Sequence, residues 1–114
     1  MTIKEYLDEQ AVARGCTLFS GKMKCFVSIK LNGKGCMSYS FNEEGINIWI
    51  RSGLCRGITT DFELKEHLFD ARIRIGMNED KKEMVSKLLD ASIQYQKKMQ
   101  DFKNSMSKLV KMEE

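Results

Sequence analysis

Four cysteines, one histidine and a scatter of carboxylates are the side chains here with the types that carry out chemistry. The thiols stand at Cys16, Cys25, Cys36 and Cys55, at spacings of 9, 11 and 19 residues. No Cys-x-x-Cys pair occurs, and structural zinc sites draw on such pairs because one tight turn aims two thiolates at one ion. Dispersed thiols on strands read as reduced core or surface groups, so no metal and no obligatory disulfide are expected. His67 sits in Lys65-Glu66-His67. That is the pattern of a solvated helix surface, with no nucleophile that the sequence places beside it. Asp61, Glu63 and Glu66 read as carboxylates favoured by a helix start. Gly33-Lys34-Gly35 is too short for a phosphate loop. Nothing in this set calls for an enzyme, and no cofactor is expected.

What remains is a binding surface. From Lys24 to Arg51 the chain reads KCFVSIKLNGKGCMSYSFNEEGINIWIR. Three runs alternate between apolar and polar residues, the signature of antiparallel strands with one buried face. Val27, Ile29 and Leu31, then Met37, Tyr39 and Phe41, then Ile46, Ile48 and Ile50 form the greasy set. Asn32-Gly33 favours a two-residue hairpin loop, but that register sets Val27 opposite Ser38 and mixes the faces. A three-residue loop over 32–34 pairs Val27 with Tyr39 and Ile29 with Met37, and the buried pattern should decide. Asn42-Glu43-Glu44-Gly45 then closes the second hairpin and sets Tyr39 beside Ile48. The other face carries Lys24, Phe26, Ser28, Lys30, Trp49 and Arg51, aromatic rings set between cations.

The elements that hold this face follow from capping and period. Thr2-Ile3-Lys4-Glu5 is a capping box, and with Gly15 it bounds an N-terminal helix over 1–15. The sheet of three or four strands should occupy 16–59, with a short strand about Leu54 to Thr59. Thr60-Asp61-Phe62-Glu63 is a second capping box and predicts a helix over 60–76 through Leu64, Leu68 and Phe69. Ala71 to Ile75 also alternates like a strand. Asn78 should cap a long last helix over 78–111. There Val85, Leu88, Tyr95, Met99, Phe102, Met106 and Leu109, with Ser92 in the gap, fall at alternating steps of 3 and 4. That is a heptad seam, and it predicts a homodimer or higher oligomer. The class is α+β, in one domain spanning 1–114.

Composition sets the partners. The 114 residues are 31% charged and 42% hydrophobic, an ordinary globular balance. No run of 18 apolar residues exists, so no membrane span is expected. The acidic start MTIKEYLDEQ lacks the apolar stretch of a secretory signal, which points to the cytoplasm of a cell or of an infected host. Net charge is +3, and residues 21–58 hold six basic side chains against Glu43 and Glu44. Single-stranded nucleic acid suits such a surface, its bases stacking on rings and its phosphates neutralised by Lys and Arg. Alternatively, the long helix or a second subunit covers the same face.

Gly21-Lys22-Met23-Lys24, Ile48-Trp49-Ile50-Arg51 and Arg56-Gly57-Ile58-Thr59 resemble segments of the transcriptional positive cofactor family, coactivators that bind single-stranded DNA. The resemblance spans roughly residues 21–69. It implies a curved antiparallel sheet followed by a dimerising helix, and it sets Lys22, Lys24, Arg51 and Arg56 near nucleic acid. The N-terminal helix and the heptad helix have no counterpart in that family. The reading is therefore non-enzymatic binding of single strands through Lys22, Lys24, Phe26, Lys30, Trp49, Arg51 and Arg56. The alternative is a small regulator or inhibitor of the mobile-element or phage type, which docks on a protein or captures a small anionic nucleotide.

Overall fold

Thr2 opens the first helix: its hydroxyl accepts the Glu5 N–H at 3.2 Å, satisfying one of the donors a helix start leaves orphaned. The computed structural model describes residues 1–64 and 70–113, with side chains as far as Lys108 in the last helix. Helix α1 (Ile3–Ala13) buries Ile3, Leu7 and Ala11, and Gly15 turns the chain away at a φ of 84°. Six strands follow: β1 (Thr17–Ser20), β2 (Phe26–Leu31), β3 (Lys34–Phe41), β4 (Gly45–Arg51), β5 (Glu63–Leu64) and β6 (Asp70–Gly76). A four-residue helix α2 (Ser52–Cys55) follows β4, and α3 (Lys82–Glu113) ends the chain. The strands form one antiparallel sheet in the order β1-β2-β3-β4-β6-β5.

The α+β class holds, but the sheet is larger than expected and one helix is missing. Residues 63–64 and 70–76 are strand, not the helix expected over 60–76. The capping box at Thr60 was a weak signal beside the alternation Ala71-Arg72-Ile73-Arg74-Ile75, whose odd members are buried. Pairing along β4 buries Ile73 against Ile48, which a helix could not do. His67, Glu66, Leu68 and Phe69 lie outside the described residues, as does the Leu109 side chain. The strand expected about Leu54 to Thr59 is instead α2 and a turn. Asn78 does not cap the last helix, which begins four residues later at Lys82.

The first hairpin satisfies both demands that the sequence sets against each other. Asn32 (φ 53°) and Gly33 (φ 80°) make the two-residue turn, joining Leu31 to Lys34. A bulge at Cys36 then absorbs one residue, so Ile29 faces Met37 and Val27 faces Tyr39.

One face of the sheet packs under all three helices. Val27, Ile29, Met37, Tyr39, Ile46, Ile48, Ile73 and Ile75 share a single core with Ile3 and Leu7 of α1, Cys55 of α2 and Val85, Leu88, Leu89 and Ile93 of α3. Polar ties join α1 to α3: Arg14 Nε donates to Asp90 Oδ1 at 2.7 Å, and Tyr6 and Ser86 share a hydroxyl hydrogen bond of 2.7 Å.

This packing corrects the heptad reading. Val85 and Leu88 are wholly buried in the chain's own core and are not offered to a partner. Leu89 and Ile93 join them, because a straight helix lying on its own sheet buries a 3.6-period stripe rather than a 3.5-period seam. Past Gln96 the described side chains of the helix are exposed, Met99, Phe102 and Met106 among them. Beyond Asp101, which still lines a cleft with Leu31, Asn32 and Lys34, the helix overhangs the sheet. The molecule is accordingly elongated, 56 × 26 × 26 Å. Among the described residues no helix is long and apolar enough to cross a membrane.

Candidate nucleic-acid interface

The register fixes which side chains share the face opposite the helices. One row runs across the whole sheet: Phe19 beside Ser28, Ser28 beside Ser38, Ser38 beside Trp49, Trp49 beside Arg72, Arg72 beside Glu63. A second row runs Phe26, Ser40, Asn47, Arg74. At about 4.8 Å per strand, Phe19 and Trp49 stand about 14 Å apart. The serines between them are small, so the face is a shallow trough with rings on its flanks.

Phe19 is 55% exposed and Phe26 38%, while Trp49 is half-buried. The Lys30 ammonium lies 4.4 Å from the centre of the Phe19 ring, and the Arg72 guanidinium 5.8 Å from that of Trp49. Each cation sits over a ring face, where the ring's quadrupole attracts it. Arg72 also donates to the Glu63 carboxylate, which holds the guanidinium in place. Arg74 is exposed and makes no ion pair among the described residues.

The expected site is brought together only in part. Phe26, Lys30 and Trp49 share the open face, and Lys22 and Lys24 are exposed in the link that leads into β2. Arg51 leaves the group. Its backbone pairs with Asp70, but its guanidinium stacks over Tyr95 of α3, 5.0 Å from the ring centre. As the last residue of β4, just before α2, Arg51 can curl toward the helix layer, and an aromatic ring there receives it. Arg56 lies in the turn after α2, whose Ile58 lines a cleft with Met84 and Lys87 of α3 and with Lys81 just before it, on the helix side.

Three contributors were not foreseen. Phe19 lies on β1, whose four residues are all exposed, so no alternation betrays the strand. Arg72 and Arg74 were visible as the polar members of the Ala71–Ile75 alternation, and reading that segment as helix hid them.

The thiols make no such site. Cys16 and Cys55 are buried, Cys36 half-buried and Cys25 exposed, all as free thiols. Burial pushes the Cys36 thiol up to about 11, with the neighbouring Cys16 thiol adding to the shift. Burial raises Cys16 and Cys55 as well, so these groups stay protonated and weakly nucleophilic at neutral pH. Among the described residues, no three His, Cys, Asp or Glu side chains gather as ligands.

No family model, no curated protein and no solved structure matches this chain.

Proposed function

We propose that the chain binds single-stranded nucleic acid, without catalysis, on the sheet face opposite the helices. The observation that carries this reading is the arrangement of Phe19, Phe26 and Trp49 around a serine-floored trough, with Lys30, Arg72 and Arg74 on the same face. Flat bases stack on exposed rings whatever their identity, and cations beside the rings neutralise the backbone. The described helices all pack on the other face, and Phe19 and Phe26 are exposed to an incoming strand. Lys22 and Lys24 extend the positive surface past Phe26.

The test is a salt titration of binding to a labelled oligodeoxythymidine. Affinity should fall linearly with the logarithm of salt, by roughly 0.7 per phosphate contact. Absence of binding at low salt would sink the reading.

A second reading is favoured by one separate observation. Met99, Phe102 and Met106 are exposed on a helix that overhangs its own sheet. They support assembly of the chain with a second copy through the outer half of α3, or docking of a small regulator on a protein target. The two readings are compatible, because the overhang and the sheet face lie apart.

A further inference from the structure

We infer that the cleft at the Gly45–Gly76 end of the open face seats a guanine base of the bound strand. This rests on the nucleic-acid reading of that face and adds which base it selects. The cleft has a volume of about 360 Å³ and lies at the end of the row that begins at Phe26. Its floor is bare backbone: Gly45 pairs with Gly76, and a Cβ on Gly45 would stand 2.2 Å from the Ile75 carbonyl oxygen. Glu44, Asn47, Arg74 and Glu79 form the walls.

Three of the wall groups have hydrogen-bonding capacity to spare. The Gly76 N–H donates to Glu79 Oε1 at 2.8 Å, which fixes that carboxylate and leaves its second oxygen open. Asn47 Oδ1 accepts no hydrogen bond among the described residues. A buried acceptor left so is costly unless a donor arrives. Arg74 presents a guanidinium that makes no ion pair among the described residues.

Charge decides what enters. Glu44 and Glu79 repel a phosphate, so a strand crossing this end must keep its backbone outside, beside Arg74, and turn a base inward. The base must offer adjacent N–H donors to a carboxylate. Guanine alone among the DNA bases carries two adjacent donors, N1–H and the 2-amino group, on one edge, together with O6 and N7 as acceptors. Adenine and cytosine offer one amino group, and thymine one imide N–H.

Fluorescence anisotropy on the full chain tests this with three labelled strands: oligodeoxythymidine, the same strand with one central dG, and the same with deoxyinosine there. The dG strand should bind about tenfold more tightly, the value of one good bidentate pair. Deoxyinosine, which lacks the 2-amino group, should lose most of that gain. Glu79→Gln keeps an oxygen for the Gly76 N–H and should abolish the dG preference while leaving thymidine affinity in place. Equal affinity for all three strands would overturn the guanine seat and leave the interface standing. Binding to none of them would overturn both.

Discussion

The hydroxyl of Tyr39, in the middle of β3 and 1% exposed, donates a hydrogen bond to the Asp8 carboxylate on α1. Lys4 holds the other carboxylate oxygen at 2.9 Å. Burial pushes the Tyr39 phenol well above its ordinary 10, and the hydrogen bond and charge of Asp8 push the same way. A group raised in the folded state contributes stability below its unfolded pKa and loses it as pH rises toward the folded value. For Tyr39 that loss begins near pH 10, and for Cys36 it runs from 9 to about 11. Thermal melts should therefore fall steadily above pH 9. Tyr39→Phe should cost roughly 1.5–3 kcal/mol at neutral pH, the worth of a hydrogen bond to a charged group. It should also flatten the alkaline decline above pH 10. A decline as steep in the variant as in the parent would place the cause elsewhere.

Gly45 lies closer to the backbone of β6 than any side chain permits. Gly45→Ala puts a methyl 2.2 Å from a backbone oxygen that cannot swing away. The strands β4 and β6 must separate, at a cost of about 3 kcal/mol. Gly35→Ala is the control, since a Cβ there meets nothing within 4 Å. It should change stability by no more than about 0.5 kcal/mol. Denaturant midpoints of the two variants check the contrast.

Much of the sheet was legible because burial has a period of two. The pairs Val27–Tyr39, Ile29–Met37 and Tyr39–Ile48 follow from matching apolar faces alone. What alternation cannot show is how the chain reaches a register. The Asn32-Gly33 turn and the Cys36 bulge together give the same core pairing as a three-residue loop. Strand β1 was hidden for a related reason: an edge strand with every residue exposed has no face to reveal. Segment 60–76 went wrong because a local capping signal was set against a pattern that only pairing with β4 resolves. On the open face, Trp49, Phe26 and Lys30 were readable from position. Arg51 was not, because its side chain follows Tyr95, a residue 44 positions along the chain.

The bulge makes a sharp prediction. Deleting Cys36 removes the extra residue, and a regular two-residue hairpin then runs from Leu31 opposite Lys34 and Lys30 opposite Gly35 straight on to Ile29 opposite Met37 and Val27 opposite Tyr39. The core pairing is kept without the bulge. The deletion variant should therefore still unfold in one cooperative transition, as should Cys36→Ser, with denaturant midpoints as the measurement. A deletion variant with no cooperative transition would mean that the fold needs the bulge itself and not only the pairing it permits.

Residues of α3 should divide at about Gln96. Leu88→Ala hollows the chain's own core and should cost roughly 2–5 kcal/mol whatever the protein concentration. Phe102 is 62% exposed, so Phe102→Glu should leave the melting temperature of dilute protein unchanged. If the overhang joins two copies, sedimentation of the parent at high concentration should give a dimer or larger species, and the Phe102→Glu variant a monomer. A parent that sediments as a monomer throughout would remove assembly as the use of this seam.

The open face predicts a division of roles among its own residues. Phe19→Ala and Phe26→Ala remove exposed rings, each worth roughly 1–3 kcal/mol if a base stacks there. They should weaken binding of oligodeoxythymidine and leave its salt dependence nearly unchanged. Lys24→Ala, Lys30→Ala and Arg74→Ala remove cations, and each should lower the salt slope by roughly 0.7 if it meets a phosphate. Arg51→Ala is the informative control. Its guanidinium lies over Tyr95 on the helix side, so the slope should stay at the parent value. Sequence position alone would assign Arg51 and Lys30 the same effect, since both fall on the polar phase of their strands. A titration series in which Arg51→Ala shifts the slope and Lys30→Ala does not would place the bound strand on the helix side of the sheet.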